Sequence, residues 1–408
     1  MVPMTSHSLC RPARISPAAR PLGRRLAAAL ALIPFAAALV FGGPARAETF
    51  DTPAQQALVM DYDTGTVLFE KNADEQMVPS SMSKLMTIYM VFKKLKEGSW
   101  KMSDELPVSE TAWKKHYKTG ESLMFLPVGS RAKISDLIRG VIIQSGNDAC
   151  SVLAEGYAGS EEAFAEEETR VAQNELGMKH SSFRNASGVP EPGHYMTARD
   201  LATLARHLIH DFPEYYPIFS ERSFTYNNIK QDNRNPLVWT TQGADGLKTG
   251  HTEAGGYGLT GSIKRGDRRI IMVLNGMQTQ KQRWDESQRV AEMAFRDFDD
   301  YALFKPGDVV ADADVWLGDV PTVPLVAGQK LVVTMERKAR RDMKVTAVYD
   351  GPIAAPIKKG QKVGKLVVTA PGVPTIELPL VAGADVGKLG FGGRMSAAFK
   401  YLVWGPKS

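Results

Sequence analysis

The first part of the chain carries hydrophobic runs of two lengths, short ones typical of strands and longer ones typical of helices. Two short runs, Ala57–Met60 and Val67–Phe69, flank the polar turn Asp61–Gly65, a pattern that predicts a β-hairpin. After a polar loop, the uninterrupted run Leu85–Phe92 predicts a buried helix.

Two further apolar runs, Ile134–Ile143 and Ser151–Tyr157, predict buried helices separated by the polar stretch Gln144–Cys150. Because buried polar side chains need hydrogen-bond partners, this stretch is either a cap for the second helix or part of a site. A capping-box-like start at Thr197–Asp200 predicts another helix, which continues through Ile209.

The runs Gly256–Ile263 and Arg269–Leu274 lie on either side of the turn Gly266-Asp267 and predict an antiparallel hairpin. The tripeptide Lys248-Thr249-Gly250 precedes this hairpin, and we predict it at the start of a strand. There the threonine hydroxyl can face a cleft, and glycine lets a ligand approach the backbone.

Short alternating runs separated by glycine and proline follow the turn Lys305–Asp308 and predict a small all-β domain, a β-sandwich. These runs are Lys330–Met335, Met343–Tyr349, Lys365–Thr369 and Thr375–Leu380. We therefore predict a first domain over 48–303, a β-rich domain over 304–385 and a tail over 386–408. The β-rich domain has no catalytic constellation, which indicates a spacer or partner-binding role.

The tail predicts an amphipathic helix. Its apolar face, at positions i, i+4, i+7 and i+8, consists of Met395, Phe399, Leu402 and Val403. The side chains suited to a headgroup surface and its interface are Arg394, Lys400, Lys407 and Trp404. The segment is too short and too charged to span a bilayer, so it either packs on its own domain or associates with a membrane surface.

Residues 1–47 contain no acidic residue and combine several arginines, the apolar run Leu26–Phe41 and the small-residue site Ala45-Arg46-Ala47. This layout is typical of a secretory signal peptide cut after Ala47, and the run is short for the alternative, a retained transmembrane anchor. We therefore expect an exported protein.

Removing the signal peptide changes what the charge implies. The 408-residue chain has a formal charge of +5, and without the six arginines of residues 1–47 this falls to −1. No basic field remains to suggest a nucleic-acid partner. Of the two cysteines, Cys10 leaves with the signal peptide and Cys150 remains unpaired, so we predict no disulfide and interpret Cys150 as a small buried apolar residue.

Metal chemistry is not indicated. His207 and His210 lie three apart near a predicted helix end, where histidine favours the helix dipole. No H-E-x-x-H or comparable ligand spacing occurs, and we predict no metal and no cofactor.

The candidate chemistry begins at Ser81 and Lys84, whose three-residue spacing places both side chains on one helix face. Serine is a weak nucleophile unless a base takes its proton, and lysine can be that base if burial or cationic neighbours make it partly neutral. The pattern alone is not specific, because Ser130–Lys133 repeats it. A second Lys-Thr-Gly, Lys118–Gly120, is interpreted as an ordinary polar loop.

The ordered set Ser81-x-x-Lys84, Ser145-Gly-Asn147 and Lys248-Thr-Gly250 resembles the penicillin-recognising serine acyl-transferases. Flanking sequences narrow the resemblance to the low-molecular-mass D-alanyl-D-alanine carboxypeptidases of the penicillin-binding protein 5 group, over roughly residues 50–400. These flanks are Ser122–Leu126, Ser145–Cys150 and Asp245–Thr252. Class A β-lactamases also use an E-x-x-x-N motif for deacylation, and no asparagine here has a glutamate four residues before it.

The resemblance implies an α/β (α+β) sandwich of the serine β-lactamase and transpeptidase type, with an antiparallel sheet between helices. Its site would lie between the sheet edge carrying Lys248 and the helical part carrying Ser81 and Ser145. Ser81 would attack the carbonyl between two terminal D-alanines, and Lys84 would take its proton. Ser145 would relay a proton to the leaving amine, with Lys248 lowering the pKa of its neighbours.

The resemblance also implies substrate-binding groups. Asn147 would hold the substrate backbone and orient Lys84, and the N–H groups of Ser81 and His251 would form the oxyanion hole. Thr249, in its Lys-Thr-Gly250 strand, would bind the terminal carboxylate.

Arginine suits carboxylate recognition through paired hydrogen bonds, and Arg283 and Arg234 are the candidates. The sequence departs from the family in the loop Asn185–Gly193, where Ser187 stands at a position often occupied by histidine, so the rim of the cleft is expected to differ.

The resulting prediction is a penicillin-sensitive carboxypeptidase that trims peptidoglycan pentapeptides, with β-lactams as inhibitors. The family's tail anchors favour a peripheral location on the periplasmic face of the inner membrane. The alternatives are a D,D-endopeptidase that cuts cross-links and a catalytically silent cell-wall-binding protein with the same fold.

Overall fold

The computed structural model describes residues 50–393, 395 and 396, and those from Thr52 onwards form one compact unit. The predicted signal peptide lies outside the described residues. So do Arg394, Phe399, Lys400, Leu402, Val403, Trp404 and Lys407 of the predicted tail helix. Of the tail positions that are described, Phe391 and Met395 have exposed side chains.

The first part of the fold alternates strands with helices. In chain order its elements are β1 (Gln56–Asp61), β2 (Val67–Lys71), α1 (Lys84–Lys96), β3 (Glu105–Pro107), α2 (Glu110–His116), β4 (Arg131–Lys133), α3 (Ile134–Arg139), α4 (Asn147–Ala158), α5 (Glu161–Asn174), α6 (Ala198–Asp211), β5 (Ser223–Tyr226), β6 (Ile229–Asp232), α7 (Leu237–Thr240), β7 (Ala244–Thr252), β8 (Gly256–Arg265), β9 (Arg268–Met277) and α8 (Gln280–Asp297). Short 3-10 turns at Ser80–Ser83 and Tyr216–Ser220 and a π-helical turn at Gly140–Gln144 complete it.

Five of these strands form the central sheet, in the antiparallel order β2-β1-β9-β8-β7. Both of its faces are covered. Ile271 and Val273 of β9 belong to the large core that includes helix α6, while Ile270 and Met272 alternate to the other face and are also buried. Helix α8 packs on β8 and β9.

Helix α1 is buried along most of its length, because its residues from Lys84 to Phe92 lie inside the large core. Helices α4, α5 and α6 all pack against it. An element buried on all sides needs the nearly continuous apolar sequence that this helix has. Lys84, the first residue of α1, therefore lies in the interior next to the edge strand β7. Strand β7 packs against the 3-10 turn that precedes α1.

The second part is all β. Its strands are β10 (Phe298–Phe304), β11 (Val309–Trp316), β12 (Thr322–Ala327), β13 (Leu331–Glu336), β14 (Lys344–Tyr349), β15 (Ile353–Ala354), β16 (Lys362–Ala370) and β17 (Val373–Ala382). A six-stranded sheet has the order β14-β16-β17-β12-β11-β15, and β10 pairs with β13 in a second sheet. The two sheets share one core, to which Val323, Val333 and Leu378 contribute.

The predicted fold class, an antiparallel sheet between helices followed by an all-β domain, is confirmed. Strand β10 pairs with β13 and so lies with the all-β part, before the boundary predicted at 303/304. The division into domains itself stays a prediction. In the part of the chain that the structure describes, no helix has the length and apolar character needed to cross a bilayer.

Two details differ from the expected elements. The Lys248-Thr249-Gly250 tripeptide lies in the middle of its own strand β7, and the prediction that it begins a strand was wrong, because β7 pairs with β8 along its whole length. The helix expected from Ser151 begins at Asn147, so it includes the end of the polar stretch.

Candidate active site

Ser81 lies in the 3-10 turn that precedes α1, and Lys84 is the first residue of that helix. Side chains three apart in a 3-10 turn eclipse each other, so the two groups meet. Lys84 Nζ donates to Ser81 Oγ over 2.9 Å and to the carbonyl oxygen of Ser187 over 2.5 Å. The preceding residue, Ser80, has φ = 50°, a conformation that costs a non-glycine residue backbone strain.

Burial makes Lys84 suitable as a base. Its side chain is 0% exposed, and desolvation lowers its pKa from the ordinary lysine value. The second serine–lysine pair of the sequence lacks this environment. Ser130 donates to the Pro127 carbonyl over 2.6 Å, and Lys133 is exposed.

Ser145 lies at the break between the π-helical turn and α4, in the left-handed region with φ = 67°. It is buried, and its Oγ has no hydrogen-bond partner among the described residues. Asn147, the first residue of α4, is also buried, and its Nδ2 donates to Glu121 Oε2 over 2.8 Å. An unsatisfied buried hydroxyl is costly, so the orphaned Ser145 Oγ is a group that a substrate can satisfy.

Strand β7 forms the facing edge of the sheet. Lys248 is 2% exposed, and its Nζ donates to the Thr249 carbonyl over 3.2 Å. Desolvation, followed by the charges of Lys84 and Arg234, holds the pKa of Lys248 well below its ordinary range. Further along the strand the His251 ring stacks on Tyr257, with ring centroids 3.8 Å apart.

The two candidate arginines differ in environment. Arg283, in the first turn of α8, is 5% exposed, lies over the Tyr257 ring at 5.6 Å and donates to the Gly250 carbonyl over 3.5 Å. Arg234 is exposed and donates to Ser122 Oγ over 2.5 Å. Both side chains reach the same cleft.

The side chain of Asn185 orders the loop 185–193, whose sequence differs from that of the family. Its Oδ1 accepts from the Ser187 N–H over 3.2 Å and from the Gly188 N–H over 2.8 Å, and its Nδ2 donates to the Val189 carbonyl over 2.9 Å. This turn aims the Ser187 carbonyl at Lys84. The backbone of residue 187 therefore contacts the base, whatever side chain it bears.

The separate segments meet at one cleft of about 620 Å³. The predicted site residues that line it are Ser81, Ser145, Asn147, Arg234, Thr249, Gly250, His251 and Arg283. Lys84 is bonded to Ser81 at its floor, and Lys248 lies in β7, next to the lining residue Thr249.

One wall was missed by sequence reasoning. Gly120 and Glu121 line the cleft, although Lys118–Gly120 was interpreted as an ordinary loop. The sequence feature that could have identified this wall is the position of Glu121, immediately before the recognised stretch Ser122–Leu126.

The remaining candidates do not line the cleft. Cys150 is fully buried, and burial raises its pKa to about 12, which fits an inert apolar role. His207 and His210 both pair with Asp211 at the end of α6. Among residues 50–393, 395 and 396, no group of three or more histidine, cysteine or carboxylate side chains is placed to hold a metal ion.

Comparisons with known proteins match both parts of the chain. Residues 44–279 match the family model for D-alanyl-D-alanine carboxypeptidase, and residues 298–388 match the model for the C-terminal domain of penicillin-binding protein 5. D-alanyl-D-alanine carboxypeptidase DacC of Escherichia coli (strain K12) is 39% identical over 376 residues, which is 91% of this chain and 94% of that protein.

Solved structures give the same result. Penicillin-binding protein 5 from Haemophilus influenzae superposes with a TM-score of 0.72 at 35% identity, over 83% of this chain and 99% of that one. Penicillin-binding protein D2 from Listeria monocytogenes, in its cefotaxime-bound form, matches with a TM-score of 0.55 at 28% identity, over 60% of this chain and 99% of that one.

Proposed function

The chain belongs to the D-alanyl-D-alanine carboxypeptidase family, and from that membership we propose that Ser81 is the nucleophile of a serine-type carboxypeptidase acting on peptidoglycan pentapeptides. The observation that carries this proposal is the contact of Nζ of the fully buried Lys84 with Ser81 Oγ at 2.9 Å. Burial lowers the pKa of Lys84 and so favours its neutral form, which is the form that can accept the serine proton.

Acylation then follows from the positions of the groups. Ser81 Oγ attacks the carbonyl carbon between the two terminal D-alanines as its proton passes to Lys84 Nζ. The tetrahedral oxyanion is stabilised by the backbone N–H groups of Ser81 and His251, which both line the cleft. When the C–N bond breaks, the leaving D-alanine amine receives, through Ser145 Oγ, the proton that Lys84 took from Ser81, which leaves Lys84 neutral again.

The acyl-enzyme that remains is an ester of Ser81. Water attacks its carbonyl carbon, Lys84 accepts the proton of the water, and the ester oxygen leaves as the Ser81 hydroxyl. Nζ of the buried Lys248 is a hydrogen-bond donor close to Lys84, where it favours the negatively charged intermediates.

Substrate orientation comes from both walls of the cleft. Thr249 and Arg283 lie on the sheet side, where they suit the terminal carboxylate, and Asn147 lies on the helical side, where it suits the peptide backbone. β-lactams offer a carbonyl and a carboxylate to the same groups. A solved relative is described in its cefotaxime-bound form, which supports β-lactams as inhibitors of this chain.

Substituting the nucleophile tests the proposal. Ser81→Ala should abolish labelling by a fluorescent penicillin and release of D-alanine from a pentapeptide. Ser130→Ala is the matched control, because Ser130 occupies the same position in the exposed second S-x-x-K sequence, and it should label at the normal rate. Covalent labelling that persists in Ser81→Ala would refute the assignment.

The alternatives predict other products. A D,D-endopeptidase would cut cross-linked peptide dimers into monomers faster than it released D-alanine, and a silent wall-binding protein would release no D-alanine while remaining folded. The buried Arg283 at the cleft favours the carboxypeptidase, since the leaving D-alanine of a pentapeptide offers it a free carboxylate, whereas an endopeptidase needs room beyond the leaving residue.

Export and membrane association complete the proposal. The basic, apolar and small-residue sequence of residues 1–47 supports export to the periplasm, and the apolar face of the tail supports peripheral attachment to the inner membrane. Cell fractionation should find the full chain with membranes and a chain ending at residue 390 in the soluble periplasm. Equal soluble fractions would argue against a membrane-binding tail.

A further inference from the structure

Glu121 links Asn147 of the Ser145-Gly-Asn147 motif to the imidazole of His116. Its Oε2 accepts from Asn147 Nδ2 over 2.8 Å and meets His116 Nδ1 over 2.8 Å. The backbone around it is fixed to the start of α4, because Asn147 N–H donates to the Ser122 carbonyl over 2.7 Å. Glu121 is thus held against Asn147 on the wall of the cleft.

The hydrogen-bond chain continues on the far side of His116. His116 Nε2 meets Ser151 Oγ over 2.8 Å, and Ser151 Oγ donates to Glu161 Oε2 over 2.8 Å. Glu161 also accepts from the Ala186 N–H over 3.1 Å, next to Ser187, whose carbonyl contacts Lys84. One continuous chain therefore links the two sides of the cleft.

Counting donors assigns the protons in this chain. Ser151 has one hydroxyl proton, which it gives to Glu161, so His116 Nε2 donates to Ser151. Glu161 also accepts from Lys115 Nζ over 2.9 Å, as a carboxylate does. His116, 2% exposed, is thus a buried imidazole whose Nε2 contacts Ser151 Oγ and whose Nδ1 meets the Glu121 carboxylate.

Glu121 is ionised in this arrangement. Burial opposes its charge, but the hydrogen bonds from Asn147 and His116 outweigh burial and lower its pKa. A carboxylate only accepts, so the Asn147 amide must present its N–H to Glu121. The Asn147 Oδ1 is then fixed on the other side of the amide, where it is buried and has no partner among the described residues.

We propose that Glu121 is a positioning residue, which fixes the Asn147 amide so that its oxygen is presented as a hydrogen-bond acceptor, with His116 holding Glu121 in place. The inference rests on the proposed function of this cleft and specifies how its asparagine is oriented. An amide free to rotate would expose either its donor or its acceptor, and part of the enzyme would be unable to bind substrate productively.

Glu121 also contributes charge at Lys84. Among the described residues, the titratable and charged groups around Lys84 are Cys150, Glu121, Arg234, Glu161, Lys248 and His194. A nearby negative charge stabilises the ammonium, so removing the charge of Glu121 lowers the pKa of Lys84 further. Because Lys84 must be neutral to act as a base, the acid limb of the kcat/KM profile should then move to lower pH.

The test compares Glu121→Gln with Glu121→Asp and with Glu110→Gln. Glu110 is an exposed glutamate of α2 paired with Lys114, and it controls for loss of a charge in the same segment. Glu121→Gln should lower kcat/KM for a D-Ala-D-Ala peptide about tenfold, the effect of losing one charged hydrogen bond. Glu121→Asp should keep the acid limb at the wild-type pH, and Glu110→Gln should leave both readouts unchanged.

The Asn147→Ala variant shows whether Glu121 acts by positioning Asn147 or by a general effect on the rigidity of the site. In Asn147→Ala, adding Glu121→Gln should change the pH-independent kcat/KM, measured above the acid limb, by less than about twofold, because the amide that Glu121 positions is absent. A further tenfold loss in that background, or wild-type kcat/KM in Glu121→Gln alone, would overturn the proposal. Penicillin labelling of Ser81→Ala bears on the nucleophile alone, so the two hypotheses fail separately.

Discussion

At the scale of single residues, Arg283 is the most informative charge in the cleft. It is 5% exposed, its Nε has no hydrogen-bond partner, and no carboxylate among the described residues lies within 4.0 Å of it. Burial lowers its pKa to about 10, which still leaves it cationic at neutral pH. A buried cation without an anion is unfavourable, so the site is built for an anionic ligand.

Arg283→Ala should raise KM for D-Ala-D-Ala peptides by about tenfold or more, the typical effect of losing one charged hydrogen bond. Acylation by a small ester that lacks the terminal carboxylate should change little. Steady-state kinetics with both substrates measures the difference.

Arg234→Ala is the comparison for this experiment, since Arg234 is exposed and bonds Ser122. A smaller rise in KM is expected there. If Arg283→Ala affected both substrates equally, the arginine would be structural and its carboxylate role would be wrong.

Single residues also show which parts of the site could not be predicted from the sequence. Ser81, Ser145 and Lys248 were recognised because each belongs to a short motif, and their order along the chain is distinctive. Glu121 and His116 have no motif, and their contacts with Asn147 and Ser151 depend on how α2 packs against α4. Side chains joined only through tertiary packing leave no periodic or spacing signal.

At the scale of elements, the turn after Asn185 depends on Gly188. Its φ is +78°, and a Cβ there would lie 2.1 Å from the Ser80 carbonyl oxygen and 2.4 Å from Ser83 Oγ. The loop therefore approaches the backbone next to the nucleophile more closely than any side chain allows. The same turn holds the Ser187 carbonyl against Lys84.

Gly188→Ala should displace this turn and slow acylation by penicillin at least about tenfold, because Lys84 loses its second hydrogen bond. Gly177→Ala is a matched control. Gly177 has φ = +72° with no atom within 4 Å of an added Cβ, so it carries the backbone strain without the clash. It should cost about 1 kcal/mol of stability and leave acylation intact.

Labelling rates and thermal unfolding measured together separate the two effects. Equal acylation rates in the two variants would mean that the close approach of Gly188 does not matter for the base.

Element predictions succeeded where periodicity was strong. The hairpin β1–β2, the hairpin β8–β9 and helix α1 were confirmed, since each has apolar runs bounded by turn residues. Helices α5 and α8 were not predicted, because charged residues dominate their sequences and only one face of each is buried. Amphipathic helices of this kind are recognised by period and are easily missed by composition.

At the scale of the whole molecule, Arg268 joins the central sheet to the all-β part. It is the first residue of β9, and its Nη1 donates to the Ala294 carbonyl over 3.0 Å and to the Phe298 carbonyl over 2.8 Å. Its Nε lies 3.4 Å from Asp61 Oδ2 and 3.6 Å from Asp300 Oδ1. Beside it, Thr64 and Thr334 hydrogen-bond across the two parts at 2.6 Å.

A buried polar junction of this kind couples the unfolding of the parts that it joins, so the chain should unfold in a single calorimetric transition. Arg268→Ala leaves the fully buried Asp61 without its cation and should destabilise the protein by about 3 kcal/mol. Arg265→Ala is the control, because Arg265 forms an exposed pair with Glu292 and should cost less than about 1 kcal/mol.

Activity should survive in Arg268→Ala below its unfolding temperature. Arg268 lies opposite Arg265 in the strand register, at the turn end of the β8–β9 hairpin. Tyr257 and the cleft lie at the other end, roughly 30 Å away along the strands. Calorimetry and kcat/KM measured on the same samples check both statements. Two separate transitions in the unsubstituted chain, or equal destabilisation by the two arginine substitutions, would show that the junction does not hold the parts together.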